Sequence, residues 1–373
     1  MISSQGPIIT IKDIKKVAVA VRDGWYLNYQ KYIFEFEEKF KNYSKNKYAF
    51  STSSCTGALH LALTAIGIKK NDEVIVPELT WVSSVSPILF LNSTPVFVDV
   101  EEDTLCIDPA SVEKNITKKT KAIICVGLYG NVPNMKKLKS IAKKNNIYLI
   151  EDVAESLGSK FDNKNLGSFG DISVYSFNGT KITVTGEGGM LTFNNKKIND
   201  KIVYLSNHGL NPVKSKKYFW PESLGYKYKM SNLLAALGSS QLEQLNSFIK
   251  QRKKVFLMYK KYLNQNDLKF KMNPMIKGRA NNFWLPYIIW NKKKKIKKEE
   301  LVHYLKKNGA DCRPFFYPLS STPLFKRYKK NNNQIAYNIS KYGICLPCSG
   351  KITEKNIQYV CKLINNFFKN ERK

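Results

Sequence analysis

Residues 122–155, AIICVGLYGNVPNMKKLKSIAKKNNIYLIEDVAE, decide the fold class. Ala122–Val126 is an apolar run that reads as a buried strand, Met135–Lys144 reads as a helix, and Ile147–Ile150 reads as a second strand. That second strand ends on an acidic turn, Glu151-Asp152-Val153-Ala154-Glu155. The pattern continues outward in both directions. Tyr48–Ser53 reads as a strand, Thr56–Ile66 as an amphipathic helix, Glu73–Pro77 as a buried strand, Val82–Leu91 as a helix and Pro95–Val98 as a strand. Downstream, Ile172–Phe177 and Gly189–Phe193 are short strands, and long helical patterns begin near Asn232 and run to about Tyr262. Strands alternating with helices imply a mostly parallel sheet covered on both faces, hence an α/β protein. Residues 300–306 and 354–369 read as helices of a smaller unit. The expected division is a large domain at 1–250, with an N-terminal helical segment, and a small α/β domain at 251–373, the boundary falling within 245–265.

Composition narrows the function. The 373 residues are 43% hydrophobic, enough for a large core, which excludes wholesale disorder. No apolar run reaches the ~18 residues of a membrane span, and MISSQGPIITIKDIKK has no apolar stretch of the kind that leads a secreted chain. Seven cysteines, an odd number in a long chain, point to a reducing, cytoplasmic setting. Cys345-Leu-Pro-Cys348 has metal or redox spacing, but no second such pair or nearby histidine supports it. His60, His208 and His303 are too scattered for a zinc site. The net charge is +32, from 61 basic and 29 acidic residues. The lysines are spread along the chain among asparagines, without a zinc-finger, RNP or basic-zipper pattern. An anionic small substrate is therefore expected, rather than nucleic acid.

Three segments carry the chemistry. Asp152 ends a buried strand, where parallel sheets bind ligands, and a carboxylate there needs a partner. A pyridinium nitrogen would serve; so would the role of an ordinary helix-start acid. Lys181 lies in Ser176-Phe-Asn-Gly-Thr-Lys181-Ile-Thr-Val-Thr-Gly-Glu-Gly-Gly-Met190, after a strand and a tight turn. A lysine held in a site can condense with an aldehyde and, once freed, move a proton between two carbons; any single lysine can equally be a solvated one. Gly186-Glu-Gly-Gly189 lacks the strand-to-helix setting of a phosphate loop. Thr52-Ser-Ser-Cys55-Thr56-Gly57 ends a strand and opens a helix, which makes an anion site suited to a phosphate or a simple cap.

Taken together, the segments resemble the DegT-type nucleotide-sugar aminotransferases, pyridoxal phosphate enzymes of fold type I. The resemblance runs from about Gly6 to Phe368. It rests on DGWYLN, STSSCTGALHLAL, DEVIVPELTWVSSVSPILF, PVFVDVEEDT, LYGNVPNMKKL, IEDVAESLGSKF, GSFGDISVYSF, GTKITVTGEGGML, GYKYKMSNLLAALG and CRPFFYP. It is strongest with the perosamine-synthase-like branch, which has Glu after the EDxA stretch.

The resemblance implies a large domain with a mostly parallel mixed sheet and a smaller α/β C-terminal domain. It implies that Lys181 carries pyridoxal 5'-phosphate as a Schiff base and that Asp152 faces the pyridine nitrogen. Trp81 would stack on the ring, though by itself it could be a core aromatic. Cys55, Thr56 and Ser176 would hold the phosphate, and Glu155 would lie near the phenolic oxygen. Asn232 would reach the phosphate of a neighbouring subunit, making a homodimer obligatory. The chain departs from many relatives at Cys55, where only backbone is needed, and at Gly127, where histidine is common and glycine would open the substrate pocket.

The expected reaction moves an amino group from L-glutamate to a nucleotide-linked keto sugar, a 4-keto-6-deoxyhexose. A smaller phosphorylated ketone is the alternative that Gly127 suggests. A sugar dehydratase of the same fold would have histidine in place of Lys181, and a non-enzymatic regulator would not need Lys181 and Asp152 together.

Overall fold

The computed structural model describes residues 1–210, 219–263, 268–294 and 296–370. Fourteen strands are β1 Tyr48–Thr52, β2 Glu73–Pro77, β3 Thr94–Val98, β4 Thr120–Val126, β5 Tyr148–Asp152, β6 Lys160–Phe161, β7 Lys164–Asn165, β8 Ile172–Ser176, β9 Gly189–Phe193, β10 Lys271–Met272, β11 Arg279–Ala280, β12 Tyr287–Ile289, β13 Arg313–Pro314 and β14 Gly343–Cys345. Helices are α1 Ile11–Asp23, α2 Lys31–Ser44, α3 Cys55–Ala65, α4 Ser86–Phe90, α5 Pro109–Lys114, α6 Met135–Lys144, α7 Lys196–Ser206, α8 Asn232–Glu243, α9 Leu245–Leu263, α10 Lys298–Lys307, α11 Gln334–Ile339 and α12 Glu354–Asn370.

Seven strands form the main sheet in the order β1-β9-β8-β5-β4-β2-β3. Pairing is parallel from β8 through β3, and only β9 runs against its neighbours. Both faces are covered, as parallel sheets require. Successive side chains of a strand point to opposite faces. Accordingly Ile123 and Cys125 enter one apolar cluster, while Ala122, Ile124 and Val126 enter the other. Truncating Ile124, which is fully buried, to alanine would cost about 2–5 kcal/mol. A four-stranded sheet, β10-β12-β14-β13, packs with α9, α10 and α12 around a third cluster that includes Tyr259, Ile288 and Val360. Residues of the small sheet, Tyr287 and Cys345, also belong to the first cluster, so apolar packing is continuous between the sheets.

The structure refines the sequence reading in several places, among them α5, which the reading did not name. The expected helix 82–91 is a 3-10 turn at Val82–Ser84 followed by the short α4, with Pro87 in its first turn. The break turns Ser84 inward. The pattern from Asn232 is two helices that part at Gln244. β5 continues past Ile150 to Asp152, whose backbone pairs with Val126 and Val174, so the acid is part of the sheet's end. α1 and α2 pack on α8, where the buried Asp13 accepts hydrogen bonds from Ser240, Gln241 and Gln244. None of the helices among the described residues is long and apolar enough to cross a membrane, and all seven cysteines are free.

Candidate active site

The C-terminal ends of β1, β2, β4, β5 and β8 open onto one cleft of about 750 Å³. Seven of the residues singled out above line it: Cys55, Thr56, Trp81, Asp152, Glu155, Ser176 and Lys181. Long stretches of chain separate them, and the parallel crossovers bring them together.

Asp152 is buried. Its Oδ2 accepts from Ser84 Oγ at 2.7 Å and its Oδ1 from the Ala154 N–H at 3.1 Å. Burial pushes its carboxyl above the ordinary range, and it makes no ion pair among the described residues. Glu155, also buried, is shifted the same way by burial, while Lys181 pulls it back. Its Oε1 lies 3.5 Å from Lys181 Nζ, and its Oε2 accepts from the Tyr129 N–H at 2.9 Å. Lys181 Nζ also sits 4.0 Å from the Trp284 ring centroid, and the Trp284 indole donates to the Thr180 carbonyl at 2.8 Å. An ammonium between a carboxylate and an aromatic face is held in one place.

At the start of α3, Ser54 is the N-cap and accepts from the Gly57 N–H at 3.0 Å. The first intrahelical bond begins at Ala58, so the helix does not use the N–H groups of Cys55 and Thr56. Gly189 makes this approach possible. A Cβ there would lie 2.6 Å from the Ser54 carbonyl. Ser176, the last residue of β8, lines the same wall.

Asn232 is not in the cleft of its own chain. At the first position of α8, it donates to the carbonyls of Gly24 and Asn28, at 2.8 and 3.1 Å. Its Oδ1 accepts from Tyr32 and Ile33, at 2.9 and 3.3 Å. The side chain ties down the turn between α1 and α2, where Trp25, Tyr26 and Leu27 are exposed.

Gly127 corrects an expectation: it does not open the pocket. A Cβ there would meet Ser156 Oγ at 2.1 Å, so the serine already fills the space a side chain would take. The observation that favoured a smaller acceptor is thereby removed.

The structure adds Ser84, Tyr129, Trp284 and Phe316, to which the sequence reading gave no role. Tyr129 has left-handed backbone, φ 54°, an expensive conformation for a bulky residue and one often found at functional sites. Its N–H binds Glu155, and its hydroxyl accepts from the Phe316 N–H at 3.1 Å, so one residue joins the floor of the cleft to its rim. The quoted LYG stretch contained it, but nothing local distinguished it from a core aromatic.

A buried carboxylate that makes no ion pair among the described residues, a second buried carboxylate that holds a lysine, and N–H groups that the helix leaves unused fit a phosphorylated, cationic pyridine ring carrying an aldehyde. Such a cleft over a mostly parallel sheet defines a pyridoxal phosphate-dependent aminotransferase. The chain belongs to the DegT/DnrJ/EryC1/StrS aminotransferase family, whose profile matches residues 7–365. It is 37% identical over 363 residues to a GDP-perosamine synthase from Escherichia coli O157:H7, covering 97% of each chain. It is 34% identical over 369 residues to one from Vibrio cholerae, covering 99% of each. The PLP form of Spr1654 from Streptococcus pneumoniae superposes with a TM-score of 0.89 at 26% identity, covering 98% of both chains.

Proposed function

We propose that this aminotransferase moves an amino group from L-glutamate to a 4-keto-6-deoxyhexose linked to a nucleoside diphosphate, with GDP as the first nucleotide to try. The observation that carries the chemistry is the convergence of Lys181, Asp152 and Glu155 in one cleft. The relatives named GDP-perosamine synthases support the acceptor class.

When bound, pyridoxal 5'-phosphate supplies an aldehyde and an electron-accepting ring. In this reading Lys181 Nζ would hold the cofactor's aldehyde, and once free the same nitrogen would take a proton from one carbon and return it to another. Trp284 and Glu155 limit how far the amine moves. Asp152 would keep the ring nitrogen protonated, and the cationic ring would offset the cost of burying its carboxylate. Ser84 and the Ala154 N–H fix its orientation. Glu155, tied to the Tyr129 N–H, would hold the cofactor on its phenolic-oxygen side, and Trp81 would cover the ring. Cys55, Thr56 and Ser176 receive the phosphate; only the backbone of Cys55 is needed, and burial pushes its thiol well up. Asn232 serves the partner's site in a homodimer. The cytoplasm is the setting that seven free cysteines suit.

The test is to offer the purified holoenzyme glutamate together with a panel of nucleotide-linked 4-keto sugars and phosphorylated ketones. Formation of an amino sugar and 2-oxoglutarate is expected with a nucleotide-linked sugar. Turnover confined to the small phosphorylated ketones would reject this reading.

A further inference from the structure

The global charge of +32 is not concentrated in the cleft. Among the described residues, the charged side chains that line it are Lys181 and Arg313 against Asp152, Glu155 and Glu187. Lys181 lies at the floor with its side chain 14% exposed and is engaged by Glu155. Arg313, with its side chain 58% exposed, is the remaining cation of the lining among the described residues.

We propose that Arg313 binds the diphosphate of the acceptor and so sets specificity for nucleotide-linked sugars, an inference that rests on the function proposed above. Arg313 is built into position. Its strand, β13, pairs with β14 so that Arg313 lies opposite Cys345, another residue of the cleft. Its Nε donates to Ser4 Oγ at 3.1 Å, and its Nη2 is 3.8 Å from Asp311 Oδ2. Ser4 Oγ in turn donates to Asp311 at 2.6 Å, and the Asp311 N–H donates to the Ile2 carbonyl at 2.9 Å. The N-terminal segment, through Ser4, and Asp311 thus grip one edge of the guanidinium. Nη1 has no protein acceptor among the described residues, and Gln5 lines the cleft beside it. A held guanidinium with a free donor edge suits a phosphate oxygen pair.

The geometry of the substrates decides between the two anions. The α-carboxylate of an amino donor sits on the reacting carbon itself, and so at the floor with Lys181. The diphosphate of a 4-keto sugar hangs from the anomeric carbon, across the ring from the ketone, and points to the mouth. Arg313 is at the mouth.

The experiment is calorimetric titration of wild-type, Arg313→Ala and Arg313→Lys holoenzymes with guanosine, uridine and thymidine diphosphates. It is paired with the glutamate half-reaction, followed in the absorption of the bound cofactor without acceptor. Arg313→Ala should weaken the preferred diphosphate by about 10- to 100-fold, and Arg313→Lys, which keeps charge but loses the fork, by less. The glutamate half-reaction should move by less than about twofold, and it also reports that the variants fold and hold cofactor. Undiminished diphosphate binding by Arg313→Ala, or a loss that falls on the glutamate half-reaction instead, would overturn the role of Arg313 while leaving the nucleotide-sugar reading in place. Failure of the wild type to bind any of the diphosphates would overturn both.

Discussion

The floor and the mouth of the cleft are built in different ways. Asp152, Glu155, Ser176 and Lys181 stand on or after strands of one buried sheet; the first three are buried and Lys181 is largely so. The mouth draws on Gln5, Trp81 and Arg313–Tyr317, segments from both ends of the chain, and Trp81 and Tyr317 are about half exposed. The floor is rigid because each polar group is held by the fold: Ser84 on Asp152, the Tyr129 N–H on Glu155. The mouth is held by bonds between segments distant in the chain, such as those from Phe316 to the Tyr129 hydroxyl and from Arg313 to Ser4. A site that fixes its chemistry in the sheet and its selectivity in the rim can change acceptor without disturbing the lysine.

Substitutions at the floor should therefore act on the chemical step and those at the rim on acceptor affinity. The largest effect belongs to Lys181→Ala, for which turnover should fall about a thousandfold or more, with loss of the visible absorption of the lysine-bound cofactor. Full turnover by that variant would dissolve the distinction between floor and mouth. Asp152→Asn should retain cofactor but slow both half-reactions about a hundredfold in single-turnover kinetics.

The same variant separates function from stability. Burial raises the Asp152 pKa above its ordinary 3.8. The carboxyl then contributes stability that is fully present below that value and is lost as pH rises through the folded one. In the cofactor-free protein Asp152→Asn should thus unfold a few degrees higher than wild type at pH 8, with a smaller difference at pH 5, measured by calorimetry. An advantage that shrinks as pH rises would contradict the burial argument. Loading the cofactor should remove the advantage, since a cationic ring then faces the wild-type carboxylate.

Asn232 tests whether the mouth is completed by a second chain. Asn232→Asp removes the donors to Gly24 and Asn28 and adds a negative charge, and activity should fall about tenfold. After subunit exchange with Lys181→Ala, mixed dimers should hold one intact site each, restoring about a quarter of wild-type activity. Confirmed exchange without recovery would place the whole site in one chain. The smallest effect is expected for Tyr129→Phe, which leaves the floor intact and strips the acceptor from the Phe316 N–H. KM for the acceptor should rise about three- to tenfold with kcat little changed. A drop in kcat instead would mean that Tyr129 acts through Glu155.

Much of this was legible in the sequence, and the limits are instructive. The strands from Tyr48 to Ile150 and the helix after β1 emerged from local periodicity, and α6 has the expected bounds, whereas α5 was not read. The 82–91 stretch did not, because a helical pattern cannot show that Ser84 is needed at Asp152. Nor could the apolar run from Asn232 show a break at Gln244, whose side chain binds Asp13 on α1.

By itself the sequence determined the layered α/β class and the order of acid, lysine and small-residue turn, because each is written in residues a few positions apart. Those motifs also implied the cofactor, through their resemblance to the family. Only the tertiary structure decided that Ser156 fills the space beside Gly127, that Asn232 is engaged by the α1–α2 turn, that Tyr129 joins floor to rim, and that Ser4 and Asp311 hold Arg313 at the mouth. Each of those depends on packing or hydrogen bonds between side chains or segments that chain proximity does not pair, and no local pattern encodes which distant residue will fill a given space.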